Sequence, residues 1–392
     1  MNSLYRSRFN AGFSPEKYEA FLGTLSEGLP KPIPFRVAET PVFISRDLGK
    51  QLIEAGDELI SHIKNPGFQK HSERAIPDQW RVGGDEGHPH FLTFDFAIIR
   101  DESGRLTPRL IELQGFPSLY GFQTHLDEAF RKHYAIAPDL SIYPGGLNTE
   151  TYRALLKRTL FGADDPAETV LMDVNAEDQK TAVDFFITQR LTGIGISSWE
   201  DLRQENRSVF DGRKRLSRIY NRLIFDEIAQ KPPMNNLDLK TDFDLKWVTH
   251  PNWFYRISKY VMPFLPGKYV PETRFLNQLP GTPRDLENWV LKPLFSFAGA
   301  GVVIDVTEKH LDEISDPENW ILQRKVAYEP AVEAASGGQV KAEIRLMYLW
   351  PDGDTDPTLA INLARLSRGK MIGVNYNRDF DFVGGTVAYF EV

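Results

Sequence analysis

Three groups of side chains in this sequence have the types and spacing for chemistry. The first centres on Lys292. It ends a short apolar run, Trp289-Val290-Leu291, and is followed by Pro293. A loop of small residues comes next, with Ser296, Gly299 and Gly301, and then a second apolar run, Val302-Val303-Ile304. The pattern predicts two strands joined by a flexible loop. A lysine at a strand end beside glycines suits polyphosphate. The ammonium supplies a point charge, and glycine lets backbone N–H groups come close to phosphate oxygens. No Gly-Lys-Ser/Thr leads into a helix, so the loop is not of the P-loop type. An ordinary hairpin carries the same signature.

The second group is a set of oxygen donors. Residues 91–100, FLTFDFAIIR, read as an aromatic and β-branched strand with Asp95 in its middle. Asp101-Glu102-Ser103-Gly104 is a turn, and residues 109–114, RLIELQ, read as the partner strand. Glu112 and Gln114 are two apart and share a face. A carboxylate inside an apolar strand is costly to bury unless it meets a cation or a metal. Three converging oxygen side chains suit Mg²⁺, which keeps part of its water shell. The alternative is that Asp95 and Glu112 each meet an arginine or solvent. The third group is arginines: Arg222 in residues 219–225, Arg345 two residues from Glu343 in 340–350, and Arg365 in 360–366. A guanidinium fork matches planar anions, although an internal ion pair uses the same group.

Other elements must position these groups. Ser14-Pro15 predicts a helix start, and residues 47–63 repeat Leu48, Leu52, Ala55, Leu59 and Ile63 at helical spacing. Residues 168–174, 176–191 and 193–196 predict a strand, an amphipathic helix and a short strand, a Rossmann-like unit with a parallel sheet. It lacks the G-x-G-x-x-G fingerprint, so NAD is not assigned. Pro232-Pro233 and the polar run to Asp244 read as a surface connection. WFYRISKYVMPFLP, residues 253–266, predicts a helix carrying Lys259, and WILQRKV, residues 320–326, a strand leaving the core.

Composition narrows the function. The chain has 392 residues, 41% hydrophobic and 26% charged, with net charge −8 and no cysteine. Disulfides, zinc-thiolate sites and cysteine nucleophiles are excluded. The negative balance argues against nucleic acid or an anionic membrane as partner. The first residues have no apolar signal-type run and no stretch nears 18 apolar residues, so the expectation is a cytoplasmic protein.

In order along roughly residues 90–375, these pieces resemble the ATP-grasp superfamily. The resemblance is to its circularly permuted branch, the eukaryotic-type glutathione synthetase and glutathionylspermidine-synthase-like proteins. RLIELQGFPSLYGF resembles that branch's metal-binding strand and serine loop. FLTFDFAIIRDESGR resembles the aspartate strand before it. WVLKPLFSFAGAGVVI resembles the Lys-Pro strand and glycine-rich loop, WILQRKV the adenine hinge, and HPNWFYRISKYVMPFLP the segment bearing the first ATP lysine. The resemblance implies an α/β chain with ATP between two α+β lobes. It divides the chain into an N-terminal helical or extended segment (1–90), the metal-binding hairpin and following part (91–165), a Rossmann-like substrate subdomain (166–250) and a nucleotide-binding lobe (251–392). It implies Lys259, Lys292, Ser296, Gly299 and Gly301 around the phosphates. Gln323, Arg324, Lys325 and Val326 would lie along adenine, with Glu329 at the ribose. Asp95, Glu112 and Gln114 would hold Mg²⁺, and Arg222, Arg345 and Arg365 a substrate carboxylate or acylphosphate. The implied reaction joins a small-molecule carboxylate to an amine through an acylphosphate. A degenerate ATP-binding protein and a phosphotransferase are the alternatives.

The chain departs from that pattern. Gln114 replaces the usual Asn, Thr93 stands where an arginine is common, and residues 294–298 contain no carboxylate. Phe295 and Phe297 are large enough to shield a closed site from water, which predicts a loop that covers the phosphates. The acid, the amine and the oligomeric state are not encoded in any motif.

Overall fold

A computed structural model describes the chain apart from residues 86, 225–227, 229–234, 297–298, 370–371, 373–376, 378–379 and 392. Of the connection expected from Pro232-Pro233 to Asp244, residues 232–234 lie outside the described residues, and 235–244 contain no helix or strand and are at least partly exposed except for Phe243. At the centre is a six-stranded sheet. Strand Phe91–Arg100 pairs antiparallel with Leu106–Gln114 on one side and with Gln339–Leu349 on the other. Thr358–Ser367 and then Gly384–Thr386 extend the sheet, and Val332–Glu333 adds to Gln339–Leu349.

Strand side chains alternate between faces, and here the two faces differ. One is largely apolar, with Asn362 as a buried polar residue opposite Leu346. Phe94, Phe96, Ile98, Ile344 and Leu346 are buried beneath the helix Arg46–Ile63, which contributes Leu48, Leu52, Ala55 and Leu59. Gly56 permits the close approach, because a Cβ there would lie 1.9 Å from the Tyr348 hydroxyl. The other face is divided. Phe91, Met347, Leu349, Ile361 and Leu363 join a second apolar core with helices Phe122–His133 and Thr149–Phe161. Farther along the same strands the inward residues are Asp95, Glu343, Arg345 and Arg365.

Four smaller sheets accompany this centre among the described residues, one of them formed by Val42–Ile44, Ala388–Glu391 and Leu140–Ser141. Lys246–Val248, Arg218–Asn221, Thr169–Asp173 and Gly195–Ser198 form a four-stranded sheet in that order, all parallel as the βα pattern predicts. The helix expected over 176–191 is shorter. Asn175 is left-handed (φ 43°), Ala176–Asp178 make a 3₁₀ turn, and the helix runs Ala182–Thr192, ended by Gly193 at φ 87°. A meander of Leu202–Glu205, Ser208–Asp211 and Lys214–Leu216 was not expected. Its turns are marked by Asn206 (φ 56°) and Gly212 (φ 60°), and Asp211-Gly212 is a hairpin signal that sequence reasoning could have used.

The remaining small sheet is antiparallel, with Trp320–Arg324 between Thr273–Phe275 and Trp289–Pro293. The run Val302-Val303-Ile304 is not a strand. Only Val303 pairs, exchanging both backbone hydrogen bonds with Leu291 at 3.0 and 2.9 Å. The helix expected over 253–266 is also broken. Asn252–Arg256 is helical, Ser258 is extended, and Lys259–Phe264 is a 3₁₀ turn. Ser258 Oγ donates to Tyr255 O at 2.7 Å and accepts from Tyr260 N, so its side chain competes with the helix ladder. Pro263 bars regular continuation. Among the described residues no helix is long and apolar enough to cross a membrane.

Candidate functional site

The site forms where the Trp289–Pro293 sheet meets the Leu106–Gln114 edge of the central sheet. Lys292 Nζ crosses this junction. It donates to the Ile111 carbonyl at 3.1 Å and to Gln323 Oε1 at 2.5 Å. Lys292 is 7% exposed and has no carboxylate within ion-pair distance among the described residues. Burial pushes its ammonium down to about 8. Glu112 opposes that fall and Lys259 adds to it. Gln323 Nε2, sealed from solvent, has no protein acceptor among the described residues.

Lys259 reaches the same place from the broken helix. Its Nζ donates to Ser296 O at 2.8 Å and lies 3.7 Å from Glu112 Oε2. Gly115 makes this approach feasible. Its N–H donates to Ile257 O at 3.0 Å, and a Cβ at that position would lie 2.7 Å from Trp253 O. Glu112 Oε1 accepts from Gln114 Nε2 at 2.8 Å. Glu112, Gln114, Lys259 and Ser296 line one cavity with the rings of Phe116 and Phe295. Its volume is about 30 Å³. That is about one water's share of liquid volume, far below a nucleotide's needs. The loop returns over Pro293, with Gly299 at φ 77° and Gly301 at φ 71°. Phe297, half of the expected aromatic shield, lies outside the described residues. Phe295 packs edge-on against Tyr255 at 5.1 Å.

Asp95 faces Glu112 across the hairpin, but its oxygens are engaged elsewhere. Arg345 grips both, with Nε–Oδ1 at 2.5 Å and Nη2–Oδ2 at 2.6 Å, and Arg365 Nη1 adds a contact at 3.0 Å. Burial raises the Asp95 carboxyl, yet the two arginines outweigh it and hold it at about 2. Arg365 Nη1 also meets Glu343 Oε1 at 2.6 Å, and Tyr328 donates to Glu343 Oε2 at 2.5 Å. Burial raises the Glu343 carboxyl against the pull of Arg365. Glu343 and Tyr328 were not among the expected site residues. The pairing of Glu343 with Arg345 on one face was the available signal. Among the described residues no three His, Asp or Glu side chains cluster as a ready metal site.

The remaining expected residues are spread more widely. The Arg345 side chain is 4% exposed and the Arg365 side chain 26%, so Arg365 is the less enclosed of the two arginines on Asp95. Arg222 is in the parallel-sheet unit. It donates to the Pro117 carbonyl and to Thr181 Oγ1, and lies 5.2 Å from the Phe116 ring centre. Arg324 stacks on Trp289 at 4.2 Å and pairs with Asp285 and Glu272. Lys325 donates to Glu287 O at 3.0 Å, Val326 is half-buried, and Glu329 pairs with Arg100 at 2.7 Å. The structure thus gathers Lys259, Lys292, Ser296, Gln323, Glu112 and Gln114. A network of Asp95, Arg345 and Arg365 adjoins them, and Arg345 Nη2 stands 3.9 Å from Glu112.

No family model and no curated sequence matches the chain. The fold is similar to the structure of a glutathione synthetase-like effector from Globodera pallida in its apo form. The TM-score is 0.60 at 12% identity, with 96% of each chain covered. The chain therefore has a mixed α/β fold with several sheets, of the glutathione synthetase-like kind.

Proposed function

We propose that the chain is a permuted ATP-grasp protein that binds Mg²⁺-ATP at this junction and ligates a carboxylate to an amine. The observation that carries the reading is the convergence of two buried lysines near Glu112, Gln114 and the Gln323 amide, whose Nε2 has no protein acceptor among the described residues. Lys292 lacks a carboxylate partner, so its site favours an anion. The residues present fit phosphate at Lys259 and Lys292. For Mg²⁺ they offer Glu112 and Gln114, with Asp95 holding arginines instead. Bound ATP would supply the phosphoryl group that activates the carboxylate. The chain's own part is positioning and charge neutralisation. In this reading Arg365, held by Asp95 and Glu343, is the arginine that would meet the substrate anion. Gln323 presents its amide to the nucleotide.

A second reading has a specific observation behind it. Asp95 is closed off by arginine, and residues 294–298 carry no carboxylate. That favours a nucleotide-binding protein without ligase activity. ADP release measured with acids and amines added singly and in pairs separates the two. Release only with a pair supports the ligase, and hydroxylamine then traps the acylphosphate as a hydroxamate. A rise in melting temperature with Mg²⁺-ATP but no ADP supports the second reading. No rise and no release would sink both.

A further inference from the structure

We propose that the chain has a second ligand site, a pocket around Arg6 for a small anion bearing a carboxylate or phosphate. The pocket lies at the other end of the hairpin. Its wall residue Arg100 is five strand positions beyond Asp95, about 17 Å at the usual strand rise. The cavity is about 250 Å³. That equals on the order of eight water volumes, room for a compact organic acid.

Arg6 is 6% exposed on helix Ser3–Gly12, and no carboxylate lies within ion-pair distance of it among the described residues. Arg218 and Arg345 are buried as deeply, and each pairs directly with a carboxylate. A buried cation without such a partner is costly. Burial lowers the Arg6 pKa to about 10, and Glu333 on the rim only partly opposes this. Thr40 Oγ1, the Pro41 carbonyl and Asn10 Oδ1 accept three of its N–H groups. Its Nε–H has no protein acceptor among the described residues. The Phe43 ring, 4.9 Å away, supplies a π face and no anion. Arg100 borders the pocket with its guanidinium already paired with Glu329 and donating to Gly104 O, and Leu106 and Val332 add apolar wall. Guanidinium forks match carboxylate and phosphate oxygens, and the apolar wall suits a short hydrocarbon body.

Amide hydrogen exchange on the whole chain tests this with malonate, inorganic phosphate, and sodium chloride at matched ionic strength. A probe held only by the native state, at about ten times its Kd, should slow exchange in residues 3–12 and 330–339 roughly tenfold. Malonate alone giving this effect identifies a carboxylate ligand; phosphate alone identifies a phosphate-bearing one. Arg6→Met should abolish it and leave any protection around Lys259 and Lys292 unchanged. If that variant does not fold, Ala331→Phe fills the pocket with Arg6 kept and should abolish it equally. Protection by neither anion, equal protection by chloride, or protection that persists in the variant would overturn the proposal.

Discussion

Asp95 and Lys292 are buried ions that both neighbour Glu112, and their charges are balanced in opposite ways. Asp95 has two arginines within hydrogen-bond reach, and each of those has a further contact or carboxylate nearby. Its charge is fully answered by protein. Lys292 is as deeply buried but is answered by a carbonyl and an amide, which are dipoles rather than charges. Dipoles offset desolvation only in part, and the fall of its pKa to about 8 records the remainder. The fold itself neutralises Asp95, whereas Lys292 is the ion that the proposed phosphate would answer. A closed network fixes geometry, whereas an under-compensated cation marks where an anion is favoured.

The largest effect should follow from opening the closed network. Asp95→Asn keeps the shape and removes the charge that holds Arg345 and Arg365. Breaking one partner out of a buried ion pair typically costs about 3–5 kcal/mol. Urea unfolding should show a loss of that size. A loss below about 1 kcal/mol would mean that the network is dispensable and the contrast with Lys292 is false.

The next effect has the opposite sign. Lys292→Met removes a desolvated cation, so without ligand it should stabilise the fold at neutral pH. The shift from 10.5 to about 8 corresponds to roughly 3 kcal/mol at most. The sign follows from proton binding. Between pH 8 and 10.5 the unfolded lysine holds more proton than the folded one, so parental stability rises with pH across this window. The advantage of Lys292→Met should therefore shrink from pH 8 to 10.5, measured as a difference of unfolding free energies. The same variant should lose the Mg²⁺-ATP shift in melting temperature. A constant difference across the window, with the shift intact, would place Lys292 among ordinary solvated lysines.

How much of this was legible depended on sequence range. The hairpin was readable because Phe91–Arg100 is a continuous β-forming run ending in a local turn. The parallel unit was readable from its period change, and the Ser14 cap from Ser-Pro. The partner of Asp95 was not, since Arg345 lies 250 positions away and only sheet register brings them together. Nor was the break at Ser258, where one hydroxyl competes with helix bonds in an otherwise apolar, helix-like run. Arg6 gave no signal, because its burial is set by Phe43 and Thr40 from other elements.

The smallest effect on stability belongs to Glu112, the residue that neighbours both ions. Its side chain is 23% exposed, and its ionic contacts are long, 3.7 Å to Lys259 and 3.9 Å to Arg345. Glu112→Gln preserves volume and can still bond to Gln114. The contacts are too long for hydrogen bonds, but Lys259 and Arg345 are buried, so unfolding should change by about 1–2 kcal/mol, less than for Asp95→Asn. Its effect on ligand should be much larger. Glu112 is the carboxylate nearest the lysines that is not consumed by a bidentate arginine. If it holds Mg²⁺, the Mg²⁺ needed for the ATP-dependent melting shift should rise by at least roughly tenfold. Lys292 would also lose its leading opposing charge, so the lower end of its pH window should fall in a Glu112→Gln background while the upper end, set by the unfolded lysine, stays. An unchanged Mg²⁺ requirement together with an unmoved window would reduce Glu112 to a half-exposed strand residue. The open part of the site would then consist of the two lysines alone.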